Sequence, residues 1–303
     1  MPTNFTSLTI GGMPVLGGGG VSIPPTTGNV FFVHSGTGNN TTYAGTTAQA
    51  PFATINYAMG FCTASKGDQI IVMPGHAENI TAATTLAVNV AGVSIIGLGR
   101  GRNRPVLSFT NTAGKIPITG ANCRLSNLVF LADVSAVVTG ISVEANDVEI
   151  DNCYFGFVDT GDDFAIMVLV SGVDRLNCHH NHFVAENAAG CNAGIQIVDA
   201  LDTIFAYNIM EGDYTTANIN GVTTLSTGLF VIGNFLRNSD TTAGVLLTTA
   251  ANSTGLAAYN SGGTLYSTNI TAPWANTGLL SIENYVVNVV TETAGITPAT
   301  AST

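Results

Sequence analysis

The sequence contains very few charged residues. Only 9% of its 303 residues are charged, and 19 acidic residues against eight lysines and arginines give a formal net charge of −11. Nucleic acids and anionic membranes are both bound through clustered cations. We therefore expect neither nucleic acid nor a membrane as a partner. The polar positions are filled mainly by Gly, Thr, Asn and Ser, which is typical of a turn-rich, all-β protein.

Several signals of location and chemistry are also missing. No apolar run reaches the roughly 18 residues of a membrane span, and the N-terminal MPTNFTSLTIGG lacks the basic and apolar regions of a signal peptide. The five cysteines lack the spacing of a zinc site, which favours buried thiols. Neither a P-loop nor a G-x-S-x-G elbow is present, and we expect no cofactor.

The chain divides into three segments by composition. Residues 1–28 are rich in Gly and Pro, which favours an extended arm or anchor. Residues 29–290 have the short apolar patterns of a folded β domain, with one capping helix predicted near residues 52–66. Residues 291–303 are rich in Thr and Ala, and we expect them to form a flexible tail. The apolar anchor candidates in the arm are Met13, Pro14, Val15 and Leu16.

From about residue 120 one asparagine recurs at intervals of 24 to 29 residues. Aligning LSNLVF, IDNCYF, CHHNHF, FAYNIM, VIGNFL, AAYNSG and IENYVV selects Asn127, Asn152, Asn181, Asn208, Asn234, Asn260 and Asn284. A repeat of about 26 residues with several short strands matches one coil of a parallel β-solenoid. The sequence therefore predicts an all-β, right-handed, single-stranded parallel β-helix.

Identical residues that recur once per coil can stack on one another. We expect the seven asparagines to form a structural ladder at one corner, each amide bonded to its neighbour and to the turn backbone. Inward-facing positions of successive coils should form aliphatic columns beside the ladder. These columns are predicted to contain Ile150, Ile204, Ile232 and Ile282.

The segment from Cys178 to His182 reads CHHNH, a composition that could ligate zinc or copper. Alternate residues of a strand point to opposite faces, so that at most two of these side chains converge from one segment. The sequence favours a turn-and-ladder segment over a metal site at Cys178, His180 and His182.

Asp162 and Asp163 are the candidates for acid–base catalysis, because paired carboxylates can divide these roles in β-helix glycosidases. The Gly-Asp-Asp triplet resembles one piece of the polygalacturonase pattern. The other pieces, Asn-Thr-Asp, Gly-His-Gly and Arg-Ile-Lys, are absent. We therefore predict an ordinary turn and no catalytic residue.

Three of the eight cations, Arg100, Arg102 and Arg104, fall within five residues. A local concentration of positive charge could dock an acidic partner. The alternative is a solvated turn.

Residues 29–99 carry a family resemblance. They contain N-V-F-F-V, G-T-G-N-N, A-P-F-A-T-I, G-D-Q-I-I-V-M-P-G-H and V-S-I-I-G-L-G in that order. This order resembles the opening of pectin-lyase-like β-helix proteins of tailed bacteriophages. The resemblance implies a β-helix in a virion protein, and such proteins include enzymatic tailspikes, tail fibres and capsid decorations, commonly trimeric.

Among these roles the composition favours one without catalysis, since Trp274 is the single tryptophan and the carboxylates are dispersed. We expect a homotrimeric exterior capsid decoration or head-fibre protein, held through residues 1–28 to the major capsid protein or another virion protein. One alternative is a tailspike or tail fibre that binds, and could depolymerise, host surface polysaccharide. Another is an adhesive module that binds such a glycan without cutting it.

Overall fold

Three parallel β-sheets wind around one apolar core. The computed structural model describes residues 26–187, 190–242, 244–264, 274–275 and 278–288, and the backbone strands Thr9–Ile10, Met13–Pro14 and Ala294–Ile296. In each complete coil the chain passes from sheet 1 to sheet 2 and then to sheet 3, and each sheet gains one strand per coil. This arrangement confirms the predicted parallel β-helix.

The strands of each sheet follow in chain order. Sheet 1 contains Val30–Val33, Gln69–Val72, Ser94–Gly97, Arg124–Ser126, Glu149–Asp151, Asn177–His179, Ile204–Ala206, Leu229–Ile232, Gly255–Ala258 and Leu279–Ile282. Sheet 2 contains Ala77–Ile80, Val106–Phe109, Val129–Ala132, Tyr154–Phe157, His182–Val184, Ile209–Glu211, Phe235–Asn238, Ser261–Thr264, Tyr285–Asn288 and the antiparallel Ala294–Ile296. Sheet 3 contains Ile116–Ile118, Ile141–Val143, Ile166–Asp174, Cys191–Leu201, Tyr214–Gly221, Leu247–Thr248 and Trp274–Ala275.

Strand pairing sets the length of each coil. From Arg124 to Leu280, paired positions in sheet 1 are 25, 28, 27, 26, 26 and 24 residues apart. Sheets 1 and 2 begin early, at Val30 and Ala77, but the first strand of sheet 3 is Ile116–Ile118. Before it, the third side contributes an isolated bridge at Val88. The periodicity is therefore visible from about residue 120 because the three-sheet coil is complete only from there.

The core consists of inward side chains stacked from coil to coil. The rings of Phe130, Phe155 and Phe183 lie on successive strands of sheet 2, with centroids 4.9 and 4.6 Å apart. Each is at most 1% exposed. Burial of one such side chain stabilises the fold by about 1.5–3 kcal/mol, so the stack makes neighbouring coils depend on one another.

The predicted capping helix is present but short. It spans Ile55–Met59, and the hydroxyl oxygen of Thr54 accepts the N–H of Tyr57 as an N-cap. Glu78 adds a second cap, because its Oε2 accepts the N–H of Ile55 at 3.1 Å. The helix ends at Gly60, so the prediction of residues 52–66 placed its end too late. Its apolar face covers the first strands of sheet 1.

Two smaller elements complete the described chain. A 3-10 turn spans Gly101–Asn103, and Thr9–Ile10 pairs with Met13–Pro14 as a short antiparallel hairpin. Within the described residues, no helix is long and apolar enough to cross a membrane.

Candidate functional site

Five asparagines form a continuous ladder in the corner between sheets 1 and 2. At each step the Oδ1 of one asparagine accepts the backbone N–H of the asparagine one coil earlier, at 2.9–3.0 Å. The same Oδ1 also accepts that residue's Nδ2, at 2.8–3.1 Å. Each Nδ2 further donates to a backbone carbonyl of the preceding coil, at 2.8–2.9 Å. The members, at most 1% exposed, are Asn181, Asn208, Asn234, Asn260 and Asn284.

Asn127 and Asn152 do not belong to this ladder. The N–H of Cys153 donates to Oδ1 of Asn181 at 2.9 Å, so Cys153 occupies the ladder position of its coil, and Leu128 occupies it one coil earlier. Asn127 and Asn152 lie one residue before it, with φ of 57° and 54°. The predicted seven-membered ladder is therefore wrong at its first two positions, because asparagine suits a left-handed turn as well as a ladder.

One left-handed residue bends the chain at this corner in every coil from residue 127 onwards. The non-glycine members of this turn column have φ between 45° and 57°, and its glycine has φ 65°. A side chain is disfavoured in this region, so the surrounding bonds must hold the bend. The turn column consists of Asn127, Asn152, His180, Tyr207, Gly233, Tyr259 and Glu283.

The candidate metal ligands point away from one another. Cys178 is 0% exposed inside the core, where burial raises the pKa of its thiol above the ordinary value. Its Sγ accepts the Nδ2 of Asn181 at 3.4 Å. His180 lies in the turn column, and its ring centroid is 5.3 Å from that of Tyr207.

His182 lies on the outer face of sheet 2 and is engaged by its neighbours. Its Nε2 is 3.1 Å from Oε1 of Glu211, and the ring of Tyr154 meets it edge-on, with centroids 5.4 Å apart. Among the described residues, no group of three or more His, Cys, Asp or Glu side chains could hold a metal ion. The segment from Cys178 to His182 thus contains one turn residue, His180, and one ladder residue, Asn181.

Asp162 and Asp163 bond to the backbone of a turn. Oδ2 of Asp162 accepts the N–H of Asp159 at 3.2 Å, and Oδ1 of Asp163 accepts the N–H of Ala136 at 2.6 Å. Burial raises the pKa of Asp163, although the bond from Ala136 opposes this effect. Asp163 thus joins two coils, and both carboxylates are used as turn acceptors.

The three arginines of the predicted docking loop are not equivalent. Arg100 and Arg102 are exposed. Arg104 is half-buried, and its Nη2 donates to the carbonyls of Leu128 at 2.8 Å and Asn152 at 2.5 Å, in the next two coils. Burial lowers the pKa of this guanidinium. Only Arg100 and Arg102 are therefore available to an acidic partner.

An ion pair lies on the outer side of the same corner, and the sequence reasoning did not predict it. Nε and Nη2 of Arg124 donate to the two carboxylate oxygens of Asp151 at 2.7 and 2.9 Å, and the Ser126 hydroxyl donates to the same carboxylate. Burial alone would raise the pKa of Asp151. Hydrogen bonds from Arg124 and Asn152 outweigh it and hold the pKa below its usual value. The available signal was opposite charges close to one coil apart.

In the C-terminal coils the outer face of this corner is apolar, which sequence reasoning also missed. Large side chains with exposed fractions of 37–61% line it on both sheets and on the turn. We call this surface the apolar corner. It consists of Ile204, Tyr207, Ile209, Phe230, Phe235, Tyr259, Leu280, Ile282 and Tyr285.

Three of the four predicted inward isoleucines lie on this outer side. Ile150 is buried in the core as expected, but Ile204 and Ile282 are each 37% exposed, and Ile232 is half-buried between them. The inward position in the coil of Ile204 belongs to Phe205, which pairs with Cys178. The predicted column is therefore wrong after Ile150, because strand pairing puts Ile204 one residue out of phase with it.

A shallow depression lies beside the capping helix. Its volume is about 450 Å³, and it is lined by Asn40, Thr54, Asn56, Tyr57, Gly60 and Phe61. The rings of Tyr57 and Phe61 lie 5.3 Å apart, and Phe61 is 37% exposed. Nδ2 of Asn40 donates to the Thr54 hydroxyl at 3.0 Å, which fixes the polar edge of the depression.

The anchor candidates are only partly described. Met13 and Pro14 form one strand of the short hairpin, whereas Val15 and Leu16 lie outside the described residues.

Comparison with known proteins gives distant structural similarities, which include two lyases. No protein-family model matches the chain, and no curated protein matches it. A rhamnogalacturonan lyase is similar with a TM-score of 0.45 and 13% identity over 86% of this chain and 74% of the other. A pectate lyase is similar with a TM-score of 0.42 and 15% identity over 89% of this chain and 78% of the other. At this distance nothing about their chemistry transfers to this chain.

Proposed function

We propose that this chain is a non-enzymatic structural protein of a bacteriophage virion, an exterior capsid decoration or head-fibre protein. The observation that carries the proposal is that residues of the candidate sites bond neighbouring coils to one another. Asp163, Arg104 and Asn181 each bond to another coil. Side chains that could serve chemistry thus hold the rod together. The resemblance of residues 29–99 to phage β-helix proteins supplies the virion context.

The point at which the chain enters the rod supports attachment at one pole. Val30–Val33 is the edge strand of sheet 1. Just before it, the Thr26 hydroxyl donates to the carbonyl of Gly67, and the N–H of Asn29 donates to Oδ1 of Asp68 at 2.6 Å. The chain therefore enters the rod at its first coil, at Thr26. An anchor there leaves the opposite pole directed outwards, and the partner is the major capsid protein or another virion protein.

Removal of residues 1–28 tests the anchor. Full-length and truncated protein are mixed with particles of the encoding phage that lack the protein, and occupancy is counted by electron microscopy. We expect the full-length chain to bind and the truncated chain to lose binding while it keeps its far-UV circular dichroism and melting temperature. Full occupancy by the truncated chain would contradict the anchor. Failure of the intact chain to join any particle would contradict the virion role.

A second candidate, a tailspike or tail fibre that binds host glycan, is favoured by the depression beside the capping helix. Two adjacent aromatic rings with amides at the rim match the apolar faces and hydroxyls of a sugar, and its volume lies within the range of ligand pockets. Titration with host surface polysaccharide, followed by analysis of released oligosaccharides, separates the roles. Binding with release indicates a depolymerase, binding alone an adhesive module, and no binding removes this candidate.

A further inference from the structure

Two adjacent histidines face each other on the outer side of the corner between sheets 1 and 2. Nδ1 of His179 lies 2.8 Å from Nδ1 of His180, and the two rings are nearly perpendicular, at 86°. Neighbouring residues of a strand point to opposite faces, but His180 lies in the left-handed turn, with φ 55°, which allows the two rings to meet. Two imidazole nitrogens at this distance need a proton or a metal ion between them.

The carboxylate of Glu149 orients the first of these rings. Its Oε1 lies 3.0 Å from Nε2 of His179. A carboxylate only accepts hydrogen bonds, so Nε2 carries a proton and, in the neutral ring, Nδ1 keeps the lone pair. Arg124 in turn holds Glu149, with its Nε 3.2 Å from Oε2. A carboxylate bound to the far ring nitrogen is the usual second partner of a histidine that ligates a metal.

The second ring is held by its backbone and remains accessible. The N–H of His180 donates to the carbonyl of Ala206 at 3.1 Å, and its ring centroid is 5.3 Å from that of Tyr207 in the next coil. The next residue, Asn181, belongs to the ladder, so the backbone of the pair is fixed on its inner side. The side chain of His180 is exposed. Water ligands of an ion therefore have room on the solvent side.

The separation of the two nitrogens distinguishes between classes of ion. Neighbouring ligands of a square-planar ion, with bonds of about 2.0 Å at about 90°, lie about 2.8 Å apart. Two nitrogen ligands of tetrahedral zinc lie about 3.3 Å apart. Copper(II) adopts the first geometry and binds a given set of ligands most tightly among the divalent ions of its series. The rings need only turn until both lone pairs meet at the ion.

We propose that Nδ1 of His179 and Nδ1 of His180 bind one copper(II) ion on the outer side of this corner, with water as the remaining ligands. The nearby charge favours a cation, because Glu149 and Asp151 outnumber Arg124 there and the whole chain has a net charge of −11. Among the described residues, no third His, Cys, Asp or Glu completes a metal-binding group. The bound ion is therefore exchangeable.

Calorimetric titration of the full-length protein with copper(II) tests the proposal. We expect one equivalent to bind, with the electron paramagnetic resonance spectrum of a tetragonal ion that has two nitrogen ligands. A second-shell partner is worth about 10–100-fold in metal affinity, so Glu149→Gln should weaken binding about tenfold and keep the two-nitrogen spectrum. His180→Asn should weaken binding further and lose that spectrum. Asparagine suits the left-handed turn, so the fold should persist.

The matched control is His182→Gln. His182 also faces a carboxylate, with Nε2 3.1 Å from Oε1 of Glu211, but its recorded ring partner is Tyr154, not a second histidine. This variant should bind copper(II) as the wild type does. Melting temperatures measured without metal show which variants are folded, and His179→Gln replaces His180→Asn if the latter is not.

Several results would overturn the proposal. They are no binding at micromolar concentration, equal binding by the wild type and His180→Asn, loss of binding in His182→Gln, and tighter binding of zinc than of copper(II). The proposal goes beyond the virion role and is independent of it. A chain that binds copper(II) through this pair but joins no particle would support the site while contradicting that role.

Discussion

The corner between sheets 1 and 2 is built in opposite ways in the two halves of the rod. In the two coils that begin at Arg124 and Glu149, the buried positions Leu128 and Cys153 are apolar, and the outside holds the Arg124–Asp151 ion pair. In coils 204–285 the buried positions are amides, and the outside is apolar. The bend itself is the same, because the left-handed turn column runs through both halves.

The two halves differ in whether the side chains that donate to the corner carbonyls lie outside or inside the rod. In the N-terminal half the side chains of Arg104 and Asn127 donate to corner carbonyls from outside, to Leu128 and Gly97 respectively. In the C-terminal half the asparagine ladder donates to them from inside. Buried carbonyls need a donor but not a particular direction of approach. Internal bonding leaves the outer surface free to become apolar.

The largest expected effect comes from breaking the internal ladder. Asn234→Ala removes the Oδ1 that accepts two bonds from Asn208 and the Nδ2 that donates to Phe205. Unpaired buried groups cost about 1–3 kcal/mol each, so we expect a loss of about 3–4 kcal/mol in the free energy of unfolding. Urea unfolding followed by circular dichroism measures it. Asn252→Gly, at an exposed left-handed turn with φ 64°, is the control and should change little. Equal losses would contradict the role of the ladder.

A smaller loss of stability, dependent on pH, is expected when the external hydrogen bonds of the N-terminal half are weakened. Asp151→Asn weakens charge-assisted bonds to Arg124, which are worth about 2 kcal/mol at neutral pH. The pKa of Asp151 is lowered in the folded protein. Its stabilisation is therefore present above the ordinary aspartate pKa and is lost as pH falls through the folded value.

Melting temperatures from pH 7 down to pH 2 test this prediction. Asp151→Asn should flatten the acid-induced decrease, whereas Asn234→Ala should keep it, because the ladder has no titrating group. An unchanged acid profile in Asp151→Asn would show that other carboxylates cause the decrease.

The ladder can be extended by one coil into the N-terminal half. Cys153 already occupies the ladder position, its N–H donates to Asn181, and its Sγ is 3.8 Å from the Leu125 carbonyl. Cys153→Asn places an amide where it can donate to Leu125 and accept from Leu128. We expect a gain of up to about 1 kcal/mol, the usual net value of a hydrogen bond. Cys153→Ala should lose stability in the same urea assay, and equal behaviour of the two variants would mean that the site rejects the amide.

The smallest effect is expected next to the ladder, at His182. Its contact with Glu211 is on the surface, where both side chains are more than a third exposed. Such pairs contribute at most about 0.5–1 kcal/mol, so His182→Gln should leave the urea midpoint nearly unchanged. Asn181→Ala, one residue away, should resemble Asn234→Ala. A large loss in His182→Gln would mean that the His-rich segment does more than cover the ladder.

The repeat period of the sequence was enough to predict the fold. It did not show which residue of each coil occupies the ladder position. Spacing near 26 residues and short strands were enough to predict the parallel β-helix. They could not decide whether Asn127 and Asn152 bend the chain or stack, because asparagine does both. The interval of 29 between Asn152 and Asn181 was the available signal, since strand pairing gives 28 there.

The apolar corner escaped prediction for a related reason. A prediction that treats every apolar strand residue as core places Ile204 inside together with Ile150. The missed sign was two consecutive apolar residues, as in Ile204-Phe205 and Phe230-Val231, because only one of such a pair can face inwards. The Arg124–Asp151 pair depends on register between coils, which the residue types alone do not fix.

The turn column places one residue of each coil at a regular spacing along the rod. Asparagine, histidine, tyrosine, glycine and glutamate all occupy it at nearly the same φ, so the bend tolerates different side chains. Successive members lie about 4.8 Å apart along a line. Replacing them one at a time would display chosen chemical groups at fixed intervals on a rigid surface. Because the bend tolerates different side chains, mutation can vary the outer chemistry of the corner without changing the strands that form it.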